Sequence, residues 1–382
     1  MFLISCDRDK LASELPQPSA SNTSADVSAN ANASANAKLE NVARALAKSL
    51  GENASARGLL KKEALKQFDG DYDVLYAELV KQVPAFGQQM EKTVKTEIEG
   101  QVVSGMAPTL RDVPNLNISV PINIDKWDVA SYSPLVVFIP AGYNDRVKKQ
   151  RLKAYDKDGK LHWLDADNAP DFPIIVVGPS ERVTVDARGN LQNPKQGSPS
   201  DILLPSDPDG GGGGGGGWTP PVSYVRVDKR TEYLKSLWLE DVSEYETYIL
   251  GKPEIRLQIM APTGGAGGTS ILDVMYTMTR SEIESTWRTN TALFLWDKAV
   301  YSNAVGYAWY EQDGGTIADV KLSIGFELLG VKATREVTFK IANDDDRISV
   351  SSMHFDFEPS AGGYYTGGTG GIREFRWVLE NL

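Results

Sequence analysis

Cysteine and histidine are nearly absent from this chain of 382 residues, which contains one cysteine, Cys6, and two histidines. A single cysteine excludes a disulfide within the chain. The zinc-protease and zinc-finger motifs need several imidazole or thiol ligands, and neither motif occurs. The G-x-S-x-G motif of α/β-hydrolases is absent as well. The sequence therefore lacks the catalytic motifs of these enzyme classes.

Basic charge and long apolar runs are also scarce. Lysine and arginine number 40 against 51 aspartates and glutamates, so the formal net charge is −11. Nucleic-acid binding needs a basic surface, so we expect no nucleic-acid partner. The same balance argues against electrostatic docking on anionic lipid. No apolar run reaches the roughly 18 residues of a membrane-spanning helix, so we expect none.

The N-terminus resembles a bacterial lipobox, because Leu3, Ile4 and Ser5 precede Cys6. The charged region and most of the apolar region of a signal peptide are missing, so either the true start lies upstream or the likeness is chance. Residues 7–37 are almost all Ala, Ser, Asn, Asp and Pro, too polar to form a core. Residues 1–37 thus predict a lipid anchor on Cys6 followed by a disordered tether, the layout of a protein anchored in the cell envelope, periplasmic or at the outer-membrane surface.

A run of eight glycines at residues 210–217 interrupts the chain. Glycine loses the most conformational entropy on ordering and offers no side chain to bury. Residues 201–221 are therefore predicted to be a linker between two separately folded parts that move independently, residues 38–200 and 222–382.

The first part changes from helical to strand periodicity. Apolar residues at helical spacing predict a helical cap, and the alternation that follows predicts a small β domain of about five strands. The longest alternating run, with Pro121 on its other face, predicts an edge strand and consists of Leu116, Ile118, Val120, Ile122 and Ile124. Asp69, Asp71 and Asp73 do not fit the calcium loop of an EF-hand, so we expect Asp71 to cap a helix.

The second part alternates almost throughout. Its short strands, separated by Gly- and Asp-rich turns, number about nine and predict an antiparallel β-sandwich. The predicted fold class of the whole chain is α+β: an N-terminal helical cap with a small β domain, then a mostly antiparallel β-sandwich.

Acidic residues cluster in loops of the predicted sandwich. Antiparallel strands place alternate loops at the same end, so the loop with Glu311 and Asp313 should meet the loop with Asp344, Asp345 and Asp346. The loop at residues 241–246 has the same parity. Carboxylates that converge from loops resemble the calcium sites of C2-type sandwiches, and oxygen ligands suit Ca²⁺. We predict a calcium site from these five residues; the alternative is ordinary polar turns.

Three segments resemble a family of uncharacterised bacterial envelope lipoproteins. They are LLKKEALKQFDGDYDVLYAELV at residues 59–80, PNLNISVPINIDKWDVASYSPLVVFIP and YDKDGKLHWLD within 114–166 with PIIVVGPSERV at 173–183, and EYLKSLWLEDVSEYETYILGKPEIRLQIMAP at 232–262. The resemblance implies an N-terminal helical and small β region, a C2-like β-sandwich and an envelope location, and it implies no activity.

Two hypotheses of function remain. The lipobox, the tether and the missing catalytic motifs favour a non-enzymatic, membrane-tethered module that binds an envelope protein or a glycan. The alternative is an envelope hydrolase that acts on glycan or peptide through carboxylates, which are abundant in this sequence. A cluster of buried acidic residues in one deep cleft would favour the hydrolase, and an open aromatic or acidic loop surface would favour the binding module.

Overall fold

The computed structural model describes residues 23–96, 105–144, 147–183, 185–186, 190–192, 225–313, 317–343, 345–360, 363–367 and 375–382. Cys6 and the glycine run at 210–217 lie outside these residues. Helices come first and mostly antiparallel sheets follow, which confirms the α+β class. The composition of residues 7–37 predicts a disordered tether, but helix α1 (Thr23–Glu52) includes its second half. Alanine, the best helix former, is frequent there, and Ala35 is buried.

The first part packs five helices against a six-stranded sheet. The helices are α1, α2 (Ala54–Ala64), α3 (Tyr76–Gln82), α4 (Pro84–Thr96) and α5 (Met106–Asp112). The strands are β1 (Asp73–Leu75), β2 (Leu116–Ser119), β3 (Leu135–Phe138), β4 (Arg151–Tyr155), β5 (Leu161–Asp165) and β6 (Ile174–Pro179), in the order β1-β2-β6-β3-β4-β5. All neighbours are antiparallel except β3 and β6. Helix α1 supplies Leu39, Val42, Leu46 and Leu50 to the core, as their helical spacing predicts.

The long alternating run of this part is not one strand. Strand β2 ends at Ser119, and a 3₁₀ helix, Ile124–Lys126, follows. The predicted edge position is also wrong, because β2 lies between β1 and β6. Pro121 has no amide hydrogen to donate to a neighbouring strand, so an inner strand ends before it. The buried side chains of Val120 and Ile124 continue the apolar pattern without continuing the strand.

The second part is a sandwich of two four-stranded sheets with an added hairpin. The strands are β7 (Arg230–Leu239), β8 (Glu254–Ala261), β9 (Thr269–Thr277), β10 (Trp287–Trp296), β11 (Ala304–Glu311), β12 (Ile317–Leu328), β13 (Val331–Ala342), β14 (Asp346–His354), β15 (Tyr365–Gly367) and β16 (Phe375–Asn381), with short helices α6 (Arg280–Ser285) and α7 (Lys298–Tyr301). One sheet has the order β10-β7-β16-β15 and the other β14-β11-β8-β9. Trp296, Trp309, Trp377 and Phe375 pack between the sheets.

Strand β11 is covered on both faces. One face contributes Val305, Tyr307 and Trp309 to the core between the two sheets. The other face is covered by the hairpin of β12 and β13, where Tyr310 joins a separate apolar cluster with Phe339. All eight residues of the strand are consequently buried, including the glutamate at its end.

The two parts share an interface formed by the chain between β7 and β8. Tyr248 and Ile249 belong to the apolar cluster on the outer face of the six-stranded sheet, with Val137 and Ile174. The Tyr248 hydroxyl donates a hydrogen bond to the carbonyl of Asp165 at 2.9 Å. The proposed boundaries at 38–200, 201–221 and 222–382 stay a prediction, and independent movement of the two parts would have to separate these contacts.

No helix among the described residues is both long enough and apolar enough to cross a bilayer. This finding includes the described length of α1, whose 30 residues are mostly polar or small.

Candidate metal centre

Three glutamates meet at the end of the sandwich that faces the first part. Glu311 is the last residue of β11, Glu254 is the first residue of β8, and Glu246 lies in the loop between β7 and β8. The side chains are almost completely buried, with Glu246 3%, Glu254 7% and Glu311 0% exposed. One carboxylate oxygen from each residue lies within 4.8 Å of the others. Three oxygen ligands therefore converge on one small space.

Strand pairing brings Glu311 and Glu254 together. Strands β11 and β8 are antiparallel neighbours, and Glu311 stands opposite Ile255. The amide of Glu254 donates a hydrogen bond to Oε1 of Glu311 at 3.2 Å. Alternation along β11 places Glu311 on the same face as Trp309, toward the core between the sheets. Glu311 is therefore buried because it continues the row of apolar side chains that faces the core.

The carboxyl group of Glu311 is strongly perturbed by its surroundings. Burial raises its pKa well above the usual 4.5, and the negative charges of Glu246 and Asp313 raise the pKa further. Its second oxygen, Oε2, accepts no hydrogen bond from the part of the chain that the structure describes. A buried carboxylate oxygen that lacks a donor is costly unless a proton or a cation compensates it.

Two arginines approach the cluster without reaching Glu311. Arg182, from the first part, forms ion pairs with Glu254 and, at 2.8 Å, with Oδ2 of Asp71. Arg280, from α6, donates a hydrogen bond to the carbonyl of Glu246, while its guanidinium stays 3.9 Å from the Glu246 carboxylate. The positive charge of Arg182 is therefore shared between two other acids.

The three aspartates of the DGDYD segment surround Arg182. The charges of Asp69, Asp71 and Asp73 all act on this guanidinium and raise its pKa. The prediction that Asp71 caps a helix is wrong, since α3 is preceded by Leu75 and Asp71 instead accepts the amide of Lys252. Asp71 therefore contributes to the interface between the two parts. It contacts Arg182 of the first part and Lys252 of the second.

The structure brings the two predicted acidic loops to the same end of the sandwich. Glu311 stands directly opposite Asp346 in the pairing of β11 with β14. The amide of Asp313 donates to Oδ1 of Asp345 at 3.1 Å, and the amide of Ala342 donates to Oδ2 of Asp345 at 2.9 Å. Asp344 lies outside the described residues. Asp345 thus serves as a turn acceptor, and metal binding by the five predicted residues stays a prediction.

Sequence reasoning missed Glu254 and Arg182. Glu254 begins β8, and the alternating pattern of that strand is carried by its apolar residues. Arg182 belongs to the first part of the chain, so no pattern within the second part could indicate it. Glu246 does lie at the end of the loop 241–246, whose parity pointed to this end of the sandwich. The alternation of loops between the two ends of the sandwich was therefore the only usable pattern in the sequence. It indicated at which end the acids lie, and it did not indicate which of them face inward.

The site is built from carboxylate oxygens alone. The group of potential ligands consists of three glutamates and contains no histidine or cysteine. Hard oxygen ligands suit Ca²⁺ or Mg²⁺ rather than zinc or copper. A calcium ion takes six to eight oxygens, so backbone carbonyls or water would complete such a shell. The arrangement can hold a divalent cation where the two parts of the chain meet.

The fold and the cluster together define an α+β protein whose β-sandwich carries buried acids at one closed end. The chain belongs to the family described as protein of unknown function (DUF3103), whose model matches residues 43–321. The matched segment contains Arg182 and the three glutamates and ends before the loop of Asp345 and Asp346. No curated protein and no solved structure matches the chain.

Proposed function

We propose that this protein is a membrane-tethered binding module of the bacterial envelope, in which a divalent cation, calcium in the first place, joins the sandwich to the first part. The observation that carries the proposal is the convergence of Glu246, Glu254 and Glu311 in a buried site. Calcium is abundant outside the cytoplasm, and extracellular sites function with dissociation constants of about 10⁻⁴ to 10⁻³ M.

Charge balance supports a cation at this position. Arg182 is engaged with Asp71 and Glu254, and Arg280 approaches only Glu246. Glu311 is fully buried next to these acids and has no cation of its own among the described residues. A divalent ion would allow Glu311 to ionise and would compensate the repulsion between the glutamates.

The position of the site supports a structural role for the ion. Glu246 and Glu254 flank the segment that packs on the six-stranded sheet through Tyr248 and Ile249. Arg182 connects the same cluster to the first part. A cation held here would fasten this segment and, with it, the interface between the two parts.

The geometry favours binding over the alternative of a carboxylate-dependent hydrolase. Such an enzyme needs a pair of carboxyl groups that a substrate can reach. The three glutamates are at most 7% exposed, so a glycan or peptide could reach them only after the two parts had separated. The raised pKa of Glu311 is explained by its burial and its acidic neighbours without any catalytic role.

We expect the full chain to bind one calcium ion with a dissociation constant at or below about 10⁻³ M, measured by titration calorimetry after removal of metals with a chelator. Glu311→Gln should weaken binding at least about tenfold, since a charged ligand is lost from a site of three carboxylates. The control is Glu336→Gln, an exposed glutamate of the hairpin paired with Lys321 at 2.8 Å, which should bind calcium as the wild type does.

The same titration separates the buried cluster from the loop site predicted by the sequence. Loss of calcium binding in an Asp344→Ala/Asp346→Ala variant, with normal binding in Glu254→Gln, would show that calcium binds at the acidic loops and not at the three buried glutamates. Absence of calcium binding by the folded wild type would refute both sites.

The membrane tether rests on the sequence, because Cys6 lies outside the described residues. We expect that a gene with its natural upstream start yields a protein acylated on Cys6, so that cells fed a fatty-acid analogue label the wild type and not Cys6→Ala. The labelled protein should fractionate with membranes. Equal labelling of the two proteins would remove the anchor from the proposal and leave the cation site untouched.

A further inference from the structure

A cavity of about 130 Å³ lies between the six-stranded sheet and the loop that precedes β8. Asn117 and Ser119 of β2 and Val176 of β6 line it from the first part, and Ile249 and Leu250 line it from the second part. One water molecule needs about 10–15 Å³ of such space, so the cavity has room for a small organic molecule. It is separate from the three glutamates, none of which lines it.

The walls of this cavity differ in character. The lining includes the aliphatic residues Ile139, Val176, Ile249 and Leu250 and the acidic residues Asp71, Asp73 and Glu181. A pocket with apolar walls and a few converging polar groups is the usual form of a small-molecule site. The apolar and acidic elements indicate a ligand that has both an aliphatic and a cationic end.

The acidic side of the cavity carries more negative than positive charge. Arg182 is the only basic residue among the described residues of the lining. Its guanidinium pairs with Asp71 and Glu254, and the charges of Asp69 and Asp73 act on it as well. Asp73 is only 9% exposed and hydrogen-bonds to Asn117 rather than to a basic side chain. The charge of Arg182 acts on Asp73, but no described basic side chain forms a hydrogen bond to that carboxyl group, so a bound cation would find it available as an acceptor.

We propose that this cavity binds a small organic ammonium ion, with the ammonium group against Asp73 and a short aliphatic chain against Ile249 and Leu250. A divalent metal ion fits less well, because it needs six or more oxygen ligands and the aliphatic wall supplies none. An anion would be repelled by Asp71, Asp73 and Glu181.

The electrostatics of Asp73 agree with this assignment. Burial raises the pKa of its carboxyl group well above the usual range, and the charges of Asp69 and Asp71 raise the pKa further. The charged form is disfavoured until a positive group approaches. An ammonium ion would supply that charge and donate up to three hydrogen bonds, as a lysine ammonium does.

Calorimetric titration of the full chain with propylammonium, propionate and 1-propanol tests the proposal. Propylammonium should bind at least about tenfold more tightly than the three-carbon anion and alcohol, because hydrogen bonds between charged groups contribute more than those of a neutral hydroxyl. Asp73→Asn should lose that preference. The control is Asp319→Asn on the exposed hairpin, which should bind as the wild type does.

The wild-type titrations alone can overturn the proposal, so it stays testable if Asp73→Asn fails to fold. Saturation by propionate or propanol as tight as by propylammonium, or no binding of propylammonium, would refute it. A calcium titration separates this site from the glutamate cluster, since Asp73→Asn should keep its calcium affinity. Loss of calcium binding in that variant would show that the acids of the cavity belong to the metal site instead.

Discussion

Replacement of Arg226 by methionine is expected to lower the free energy of unfolding by about 3–5 kcal/mol, the usual effect of breaking a buried ion pair. The side chains of Arg226 and Glu232 are 1% and 0% exposed, and Nη2 of Arg226 lies 2.8 Å from Oε1 of Glu232. Arg226 also donates to the carbonyl of Phe357 at 2.9 Å and to the hydroxyl of Tyr365 at 3.0 Å. Methionine would leave Glu232 buried without its partner.

Urea unfolding of the full chain, followed by tryptophan fluorescence, measures this loss. The matched control is Lys235→Met, because Lys235 pairs with Glu380 at 3.1 Å on a partly exposed face. That change should cost no more than about 1 kcal/mol. The double variant Arg226→Met/Glu232→Leu should recover much of the loss, since no uncompensated charge stays buried. A loss below about 1 kcal/mol for Arg226→Met would show that the pair contributes little.

Glu311→Gln should stabilise the protein at neutral pH when calcium is removed, and should reduce by about half or more the stabilisation that calcium provides. Because the pKa of Glu311 is raised in the folded state, the protonated side chain favours folding. That contribution is complete below the ordinary pKa of 4.5 and is lost as the pH rises through the raised pKa. Glutamine keeps the size of the protonated side chain and does not titrate, so it retains the contribution.

Unfolding curves of the wild type and Glu311→Gln, from pH 5 to pH 8 with chelator and with calcium, measure both effects. In the presence of chelator, the free energy of unfolding of the variant should rise relative to that of the wild type as the pH rises. Asp69 and Asp73, whose pKa values are also raised, titrate in both proteins and cancel in the difference. Calcium at a hundredfold excess over the wild-type dissociation constant should add about 2.7 kcal/mol to the wild type and, with binding weakened tenfold or more, at most about 1.4 kcal/mol to the variant. An equal calcium effect in both proteins would exclude Glu311 as a ligand.

The proposed cation site and the interface between the parts are connected through Arg182 and Glu254. Arg182 pairs with Asp71 of its own part and with Glu254 of the other. The backbone amide of Lys252 donates a hydrogen bond to Asp71, and its ammonium group donates one to the carbonyl of Gly70. The segment between Glu246 and Glu254 contains Ile249 and Leu250, which line the cavity of Asp73. Calcium binding and the relative position of the two parts are therefore expected to be coupled.

Local patterns in the sequence were sufficient for the α+β class and for most elements. Leu39, Val42 and Leu46 recur at the spacing of one helix face, and they are buried in α1. Alternating apolar residues predicted the strands of the second part, because successive side chains of a strand point to opposite faces whichever strand it pairs with. The same local rule was misleading at Val120 and Ile124, where apolar residues stay buried after Pro121 has ended the strand.

The sequence by itself also determined that the loops of Glu311 and Asp345 lie at the same end, because successive antiparallel segments alternate in direction. Only the tertiary structure decided which acids face inward. Glu254 reaches Glu311 through the pairing of β8 with β11, 57 residues apart in the chain, and Arg182 arrives from the other part. Burial, pKa and charge compensation depend on neighbours that are distant in sequence, and no local pattern of residues specifies those neighbours.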